Sequence, residues 1–98
     1  MHSVCMGIEY DAEKAESNLA KHGVSFEEAE SVLFDSNAIG VEDEDSEGEA
    51  RWILLGMSSL IRLLIVVYTI RDDDEGDNDI IRLISARKAT RHEAKQYA

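Results

Sequence analysis

Helices laid beside a mostly antiparallel sheet, an α+β fold, are what this sequence predicts, and three observations carry the prediction. Two segments with helix caps come first, at residues 11–23 and 25–33. Four short runs rich in aliphatic and β-branched residues follow, divided by polar turns, and a third capped segment comes last. Helices first and strands afterwards segregate into layers instead of alternating as βαβ units, so the order reads ααββββα, a four-stranded sheet with two N-terminal helices and a short C-terminal one.

Each element has a local reason. Asp11 precedes AEKAESNLAKH, a run of good helix formers, and Gly23 supplies at its end the residue tolerant of positive φ. Ser25 and Glu28 have capping-box spacing, the hydroxyl accepting from the Glu28 amide while the glutamate reaches back. Phe26, Ala29, Val32 and Leu33 then give the second helix one apolar stripe. Ala38–Val41 is a short strand candidate, and the acidic turn Glu42–Glu49 follows it. Ala50–Met57 and Arg62–Ile70, parted by Ser58 and Ser59, read as a hairpin. A second acidic turn, Asp72–Asp79, leads into the strand Ile80–Ser85, and a second capping box, Thr90 to Glu93, begins the last helix. Residues 1–7 are expected to fray.

A chain of 98 residues has surface for one core, so residues 1–98 are expected to form a single domain. Cys5 is the one cysteine, which rules out an intramolecular disulfide and suits a reducing cytoplasm. The longest apolar run, Leu63–Tyr68, is far short of the ~20 residues that span a bilayer, and no membrane association is expected. A formal net charge of -11 weighs against a polyanionic partner, because binding one rests on Lys and Arg releasing its counterions. The acids are clustered, however. Residues 35–49 hold seven and residues 72–79 six, with no Lys or Arg in either stretch, whereas residues 82–97 set Arg82, Arg87, Lys88, Arg91 and Lys95 against Glu93 alone. The acidic stretches read as solvated turns, and the basic end as a solvated helix face or an anion-binding surface.

Two metal readings fail on spacing. The turn beginning at Asp43 has acids at positions 1, 3 and 5 and Gly48 at position 6 of a calcium loop, but position 12 is Leu54, where a bidentate glutamate is required. His2, Cys5, His22 and His92 show no zinc spacing. Neither a metal nor a cofactor is expected. Lys21 and His22 end the first helix, Glu49 and Arg51 alternate at a strand start, Arg82 lies inside a strand and Arg87 just beyond it. A helix-terminal histidine and a sheet-edge ion pair account for some of these structurally. Such a set can also cut RNA without metal: one group takes the proton of a ribose 2′-OH, arginines stabilise the charge growing on phosphorus, and another group protonates the leaving oxygen. Strand parity places Arg82 and Arg87 on opposite faces unless the chain turns near Ser85.

The residues resemble a family. Tyr10-Asp11 with Lys14 and Asn18, the block from Lys21 to Ala29, Phe34-Asp35, Gly48-Glu49 with Arg51 and Gly56, Val66 to Thr69 with Arg71, and the block from Ile81 to Thr90 followed by Glu93 and Tyr97 are similar to the BrnT toxins of the BrnT/BrnA type II toxin–antitoxin system. The resemblance covers residues 8–97, and its blocks are specific together. It implies a RelE-like fold and a ribosome-independent endoribonuclease that slows growth. It implies a BrnA-like ribbon-helix-helix antitoxin as partner, RNA as substrate, operator DNA reached only through the antitoxin, and an assembly of two toxins with two antitoxins. Carried over by position, it makes His22, Glu49, Arg51, Arg82 and Arg87 the candidate catalytic residues and Lys21 and Arg91 the candidate RNA contacts. Arg82 and Arg87 would hold phosphate, and His22 or Glu49 would move protons. The acidity of the chain supports a competing expectation, a toxin-like module that pairs with an antitoxin and modulates its DNA binding without catalysis.

Overall fold

The structure is a computed structural model, and it describes residues 7–43, 50–72 and 79–97. Its elements run β1 (Gly7–Glu9), α1 (Ala12–His22), α2 (Phe26–Val32), β2 (Ile39–Asp43), β3 (Arg51–Met57), β4 (Leu63–Asp72), β5 (Asp79–Lys88) and α3 (Arg91–Ala94). The strands make one sheet in the order β1-β5-β4-β3-β2. The α+β class holds, but the expected four-stranded sheet is corrected to five strands. The extra one, β1, pairs in parallel with β5 through Gly7↔Ile80, Ile8↔Ile81 and Glu9↔Arg82. Three residues are too few to leave a two-residue periodicity in sequence, and this strand exists only because β5 offers its edge. Gly7 therefore belongs to the sheet rather than to a frayed end; residues 1–6 lie outside the described residues.

The helices begin and end where their caps dictate. The Glu13 amide donates to Asp11 Oδ1 at 2.8 Å, and Gly23, at φ 69°, returns its N–H to the Leu19 carbonyl at 2.8 Å. At α2 the Glu28 amide donates to Ser25 Oγ at 3.0 Å, but the reciprocal half of the expected capping box is absent. The Glu28 carboxylate, 4% exposed, turns instead to Arg62 and to the Ser58 hydroxyl, which donates to it at 2.6 Å. A charge-assisted guanidinium pair in a buried place outweighs a bond to one backbone amide. Arg62 draws its carboxyl below the usual range, while burial opposes that shift. The expected box at α3 is complete, with Thr90 Oγ1 and the Glu93 carboxylate each serving the other's amide.

The core lies between the two long helices and one face of the sheet. Val24, Phe26, Ala29 and Val32 pack on Leu54, Leu64, Val66, Ile81, Leu83 and Ala86, all buried. Burying each of these side chains larger than alanine contributes roughly 1.5–3 kcal/mol before the entropy of ordering it is subtracted. Close approach of α2 to β3 depends on Gly56, where a Cβ would lie 2.8 Å from Val32 Cγ1 and 2.9 Å from Ala38 Cβ. Among the described residues the other face of the sheet has no long helix over it, and α3 with the residues after it covers one end.

Candidate active site

One irregularity decides what the open face carries. Pairing of β4 with β5 runs Ile65↔Arg87, Val66↔Ala86 and Val67↔Ser85, then shifts to Tyr68↔Leu83 and Thr69↔Arg82. Ile84 is the extra residue, a β-bulge that reverses the parity of β5. Ile81 and Leu83 before it and Ala86 after it therefore all reach the core, while Arg82, Ser85 and Arg87 share the open face. The turn near Ser85 that would align the two arginines is this bulge.

Cross-strand register fixes their neighbours. Arg51, Thr69 and Arg82 form one row, Ile53, Val67 and Ser85 the next, and Leu55, Ile65 and Arg87 a third. With strands spaced ~4.8 Å, Arg51 and Arg82 arise roughly 10 Å apart across Thr69. Thr69 is 1% exposed, and its hydroxyl finds no hydrogen-bond partner among the described residues.

The arginines are not bare charges. Arg82 Nη1 donates to Glu9 Oε2 at 2.9 Å, and the same carboxylate accepts from Arg71 Nε at 3.0 Å and Nη2 at 2.9 Å. Arg87 gives Nη1 and Nη2 to the two oxygens of Glu93 at 2.8 and 2.7 Å. Arg71 and then Arg82 hold the Glu9 carboxyl at about 2, well below the ordinary 4.5. Arg87, with the Thr90 amide, holds Glu93 at about 2. Both stay ionised at any physiological pH.

Lys21 and His22 lie at the end of α1, which takes over beside β5 where β1 ends. Asn18 makes that junction. Its Nδ2 donates to the carbonyls of Ala86 at 2.8 Å and Val24 at 3.0 Å, and its Oδ1 accepts from the Ala86 amide at 3.1 Å, as a neighbouring strand would. Above it runs an open groove of about 200 Å³ lined by Lys14, Ser17, Asn18, Lys21, His22, Ile84 and Ser85. Ser85 is common to the groove and to the row beside Arg82 and Arg87.

The expected site residues thus fall into two adjoining sets, Lys21 and His22 in the groove and Arg51, Arg82 and Arg87 on the open face. Arg91, exposed at the first position of α3, is tied to neither set by any hydrogen bond among the described residues. Glu49 and most of the acidic turn lie outside the described residues. Leu54, the failed twelfth position of the calcium loop, is a core residue of β3. Among the described residues no three of His, Cys, Asp or Glu gather to hold a metal, and no helix is long and apolar enough to cross a membrane. Sequence reasoning missed Glu9 altogether, gave Arg71, Lys14 and Ser17 no role, and gave Glu93 only that of a helix cap. Arg71, Glu93 and Lys14 stand among the matching residues of the family resemblance, and that was the available signal.

Fold and site together define a small α+β protein whose open sheet face and adjoining groove collect guanidinium and ammonium groups, chemistry that grips phosphate oxygens. Comparison with protein families carries this further. The chain belongs to the BrnT family: the family model described as "Ribonuclease toxin, BrnT, of type II toxin-antitoxin system" matches residues 10–93. Membership implies an antitoxin partner. Among solved structures, the crystal structure of the Brucella abortus ribonuclease toxin BrnT is similar in fold at a TM-score of 0.64 and 22% identity, over 90% of this chain and 100% of that one. Comparison with curated proteins gives no match.

Proposed function

We propose that this chain is an endoribonuclease toxin that cleaves RNA without a metal or the ribosome, in the cytoplasm, as one domain. A BrnA-like ribbon-helix-helix antitoxin neutralises it in an assembly of two toxins and two antitoxins, and operator DNA is met only through that antitoxin. The observation that carries the reading is the bulge at Ile84, which gathers Arg82 and Arg87 on one face beside the groove of Lys21 and His22, in a member of a ribonuclease toxin family.

In this reading the free donors of Arg82 grip the scissile phosphate, and charge growing on its oxygens is stabilised there and by Arg87 when it turns from Glu93. His22 or Glu49 takes the proton of the 2′-OH, whose oxygen attacks phosphorus, and the leaving 5′-oxygen receives a proton from the other group. Arg51 orients Glu49 or touches the substrate, while Lys21 and Arg91 hold phosphates on either side.

A second reading, the module that pairs with an antitoxin without catalysis, has one observation in its favour. Both arginines already hold a carboxylate, Arg87 through both terminal nitrogens. RNA cleavage by the antitoxin-free protein in EDTA, beside a folded Arg82→Ala/Arg87→Ala variant, separates the two. Cleavage that survives EDTA and vanishes in the variant is expected; no cleavage by folded wild-type protein supports the module.

A further inference from the structure

Side chains from two strands converge on the carboxylate of Glu9, which stands on a third. Register sets Glu9 of β1 beside Arg82 of β5, and Arg71 of β4 comes in from the next row. The two guanidiniums are engaged differently. Arg71 presents Nε and Nη2 together, the edge that would otherwise take an oxyanion two-handed. Arg82 spends only Nη1 on Glu9, so Nε and Nη2 have no partner among the described residues, and its side chain is 40% exposed. Arg87 differs again, since Glu93 occupies both its terminal nitrogens. Arg82 therefore keeps a complete fork edge, Nε with Nη2, while its tip is tied to Glu9.

An arginine on a strand surface sweeps a wide volume, and fixing it on a phosphate costs side-chain entropy. Here the tip of Arg82 is tied to a carboxylate that a second arginine holds in turn. The restriction is imposed before substrate arrives, and the remaining edge points in one direction. Two guanidiniums share one carboxylate, so Glu9 does not cancel the charge of Arg82 by itself.

We propose that Glu9 is a positioning residue for RNA, fixing Arg82 so that its Nε–Nη2 edge receives a backbone phosphate. This inference rests on reading the open face as the RNA-binding one. Glu9 makes no contact with the substrate and acts through Arg82, with Arg71 as the clamp that keeps the carboxylate in place.

The test is a double-mutant cycle of Glu9→Gln and Arg82→Ala, read as affinity for a short 2′-O-methyl RNA, which cannot be cut, alongside cleavage of the unmodified RNA. Arg82→Ala is expected to weaken affinity about tenfold in the wild-type background but less than about threefold when Gln stands at position 9, because an unpositioned Arg82 has less to lose. A purely structural role for Glu9 would lower the melting temperature without this coupling. If Glu9→Gln does not fold, Glu9→Asp, which withdraws the carboxylate by one methylene, takes its place with the same expectation. Equal loss in both backgrounds overturns the inference even where cleavage is present. Coupling in a protein that does not cleave RNA upholds it as an RNA-binding device while the ribonuclease reading falls, and no RNA binding by the wild-type protein overturns both.

Discussion

Glu93 grips Arg87 by both terminal nitrogens, at 2.8 and 2.7 Å, while the same carboxylate accepts the Thr90 amide that opens α3. One acid thus caps a helix and occupies a guanidinium that the family resemblance assigns to phosphate. An RNA phosphate that takes the terminal nitrogens of Arg87 competes with it.

Glu93→Gln should therefore strengthen RNA binding. Glutamine serves the third position of a capping box as glutamate does, so α3 is kept while the negative charge is lost. The expected result is several-fold higher affinity for an uncleavable RNA, with the slope of log affinity against log salt steeper by about 1 as Arg87 gains a phosphate. Identical affinity and slope for wild type and variant would show that Arg87 takes no part in binding.

Acid should remove a specific share of stability. Glu9 and Glu93 have folded-state values of about 2 against an ordinary 4.5, so the folded protein favours their ionised forms. Their contribution is complete above about 4.5 and is lost as pH falls from there toward 2. Both sit near the surface, where solvent screening keeps the effect small, and protonating the clustered acids elsewhere relieves repulsion in the opposite sense. The clean measurement is the difference in melting temperature between wild type and a Glu9→Gln/Glu93→Gln variant across this range. Wild type should melt higher near neutrality and the gap should close at low pH; a gap that is constant with pH would mean that these pairs do not stabilise the fold.

Asn18→Ala should be among the more damaging substitutions outside the apolar core. It strands the N–H and C=O of Ala86 and the carbonyl of Val24 at a site only 6% exposed. Leaving buried backbone groups unpaired costs about 1–3 kcal/mol each, and partial access of water to the groove brings the expected total to about 3 kcal/mol by urea unfolding. A loss well under 1 kcal/mol would mean that α1 does not depend on this amide to hold the edge of β5.

What could be read from the sequence was local. Caps at Asp11, Ser25 and Thr90 and the stop at Gly23 placed the helices nearly to the residue, because each works through neighbours a few positions away. The hairpin of β3 and β4 was legible for the same reason. Long-range choices were not. Glu28 had two possible partners, and the nearby Ser25 amide lost to Arg62, 34 residues away. The pairing of Glu9 with Arg71 joins residues 62 apart, and no spacing rule reaches that far. At the candidate site, the residue types Lys21, His22, Arg82 and Arg87 were visible, and their grouping was not. Strand alternation applied evenly to β5 sends its two arginines to opposite sides, and the bulge that overrules it lies in the pairing of β5 with β4.

Arg82 and Arg87 are five positions apart, an odd interval that an unbroken strand cannot present on one side. The interval thus acts as a counting signature. Aligned relatives that keep arginines five apart in this strand must also keep one uncounted residue between them, and a relative that drops the residue at Ile84 has its arginines four apart, an even interval that an unbroken strand presents on the same side. The presence or absence of a residue here, seen as a gap in an alignment, would therefore report on the geometry of the face more directly than the identity of the residue at position 84.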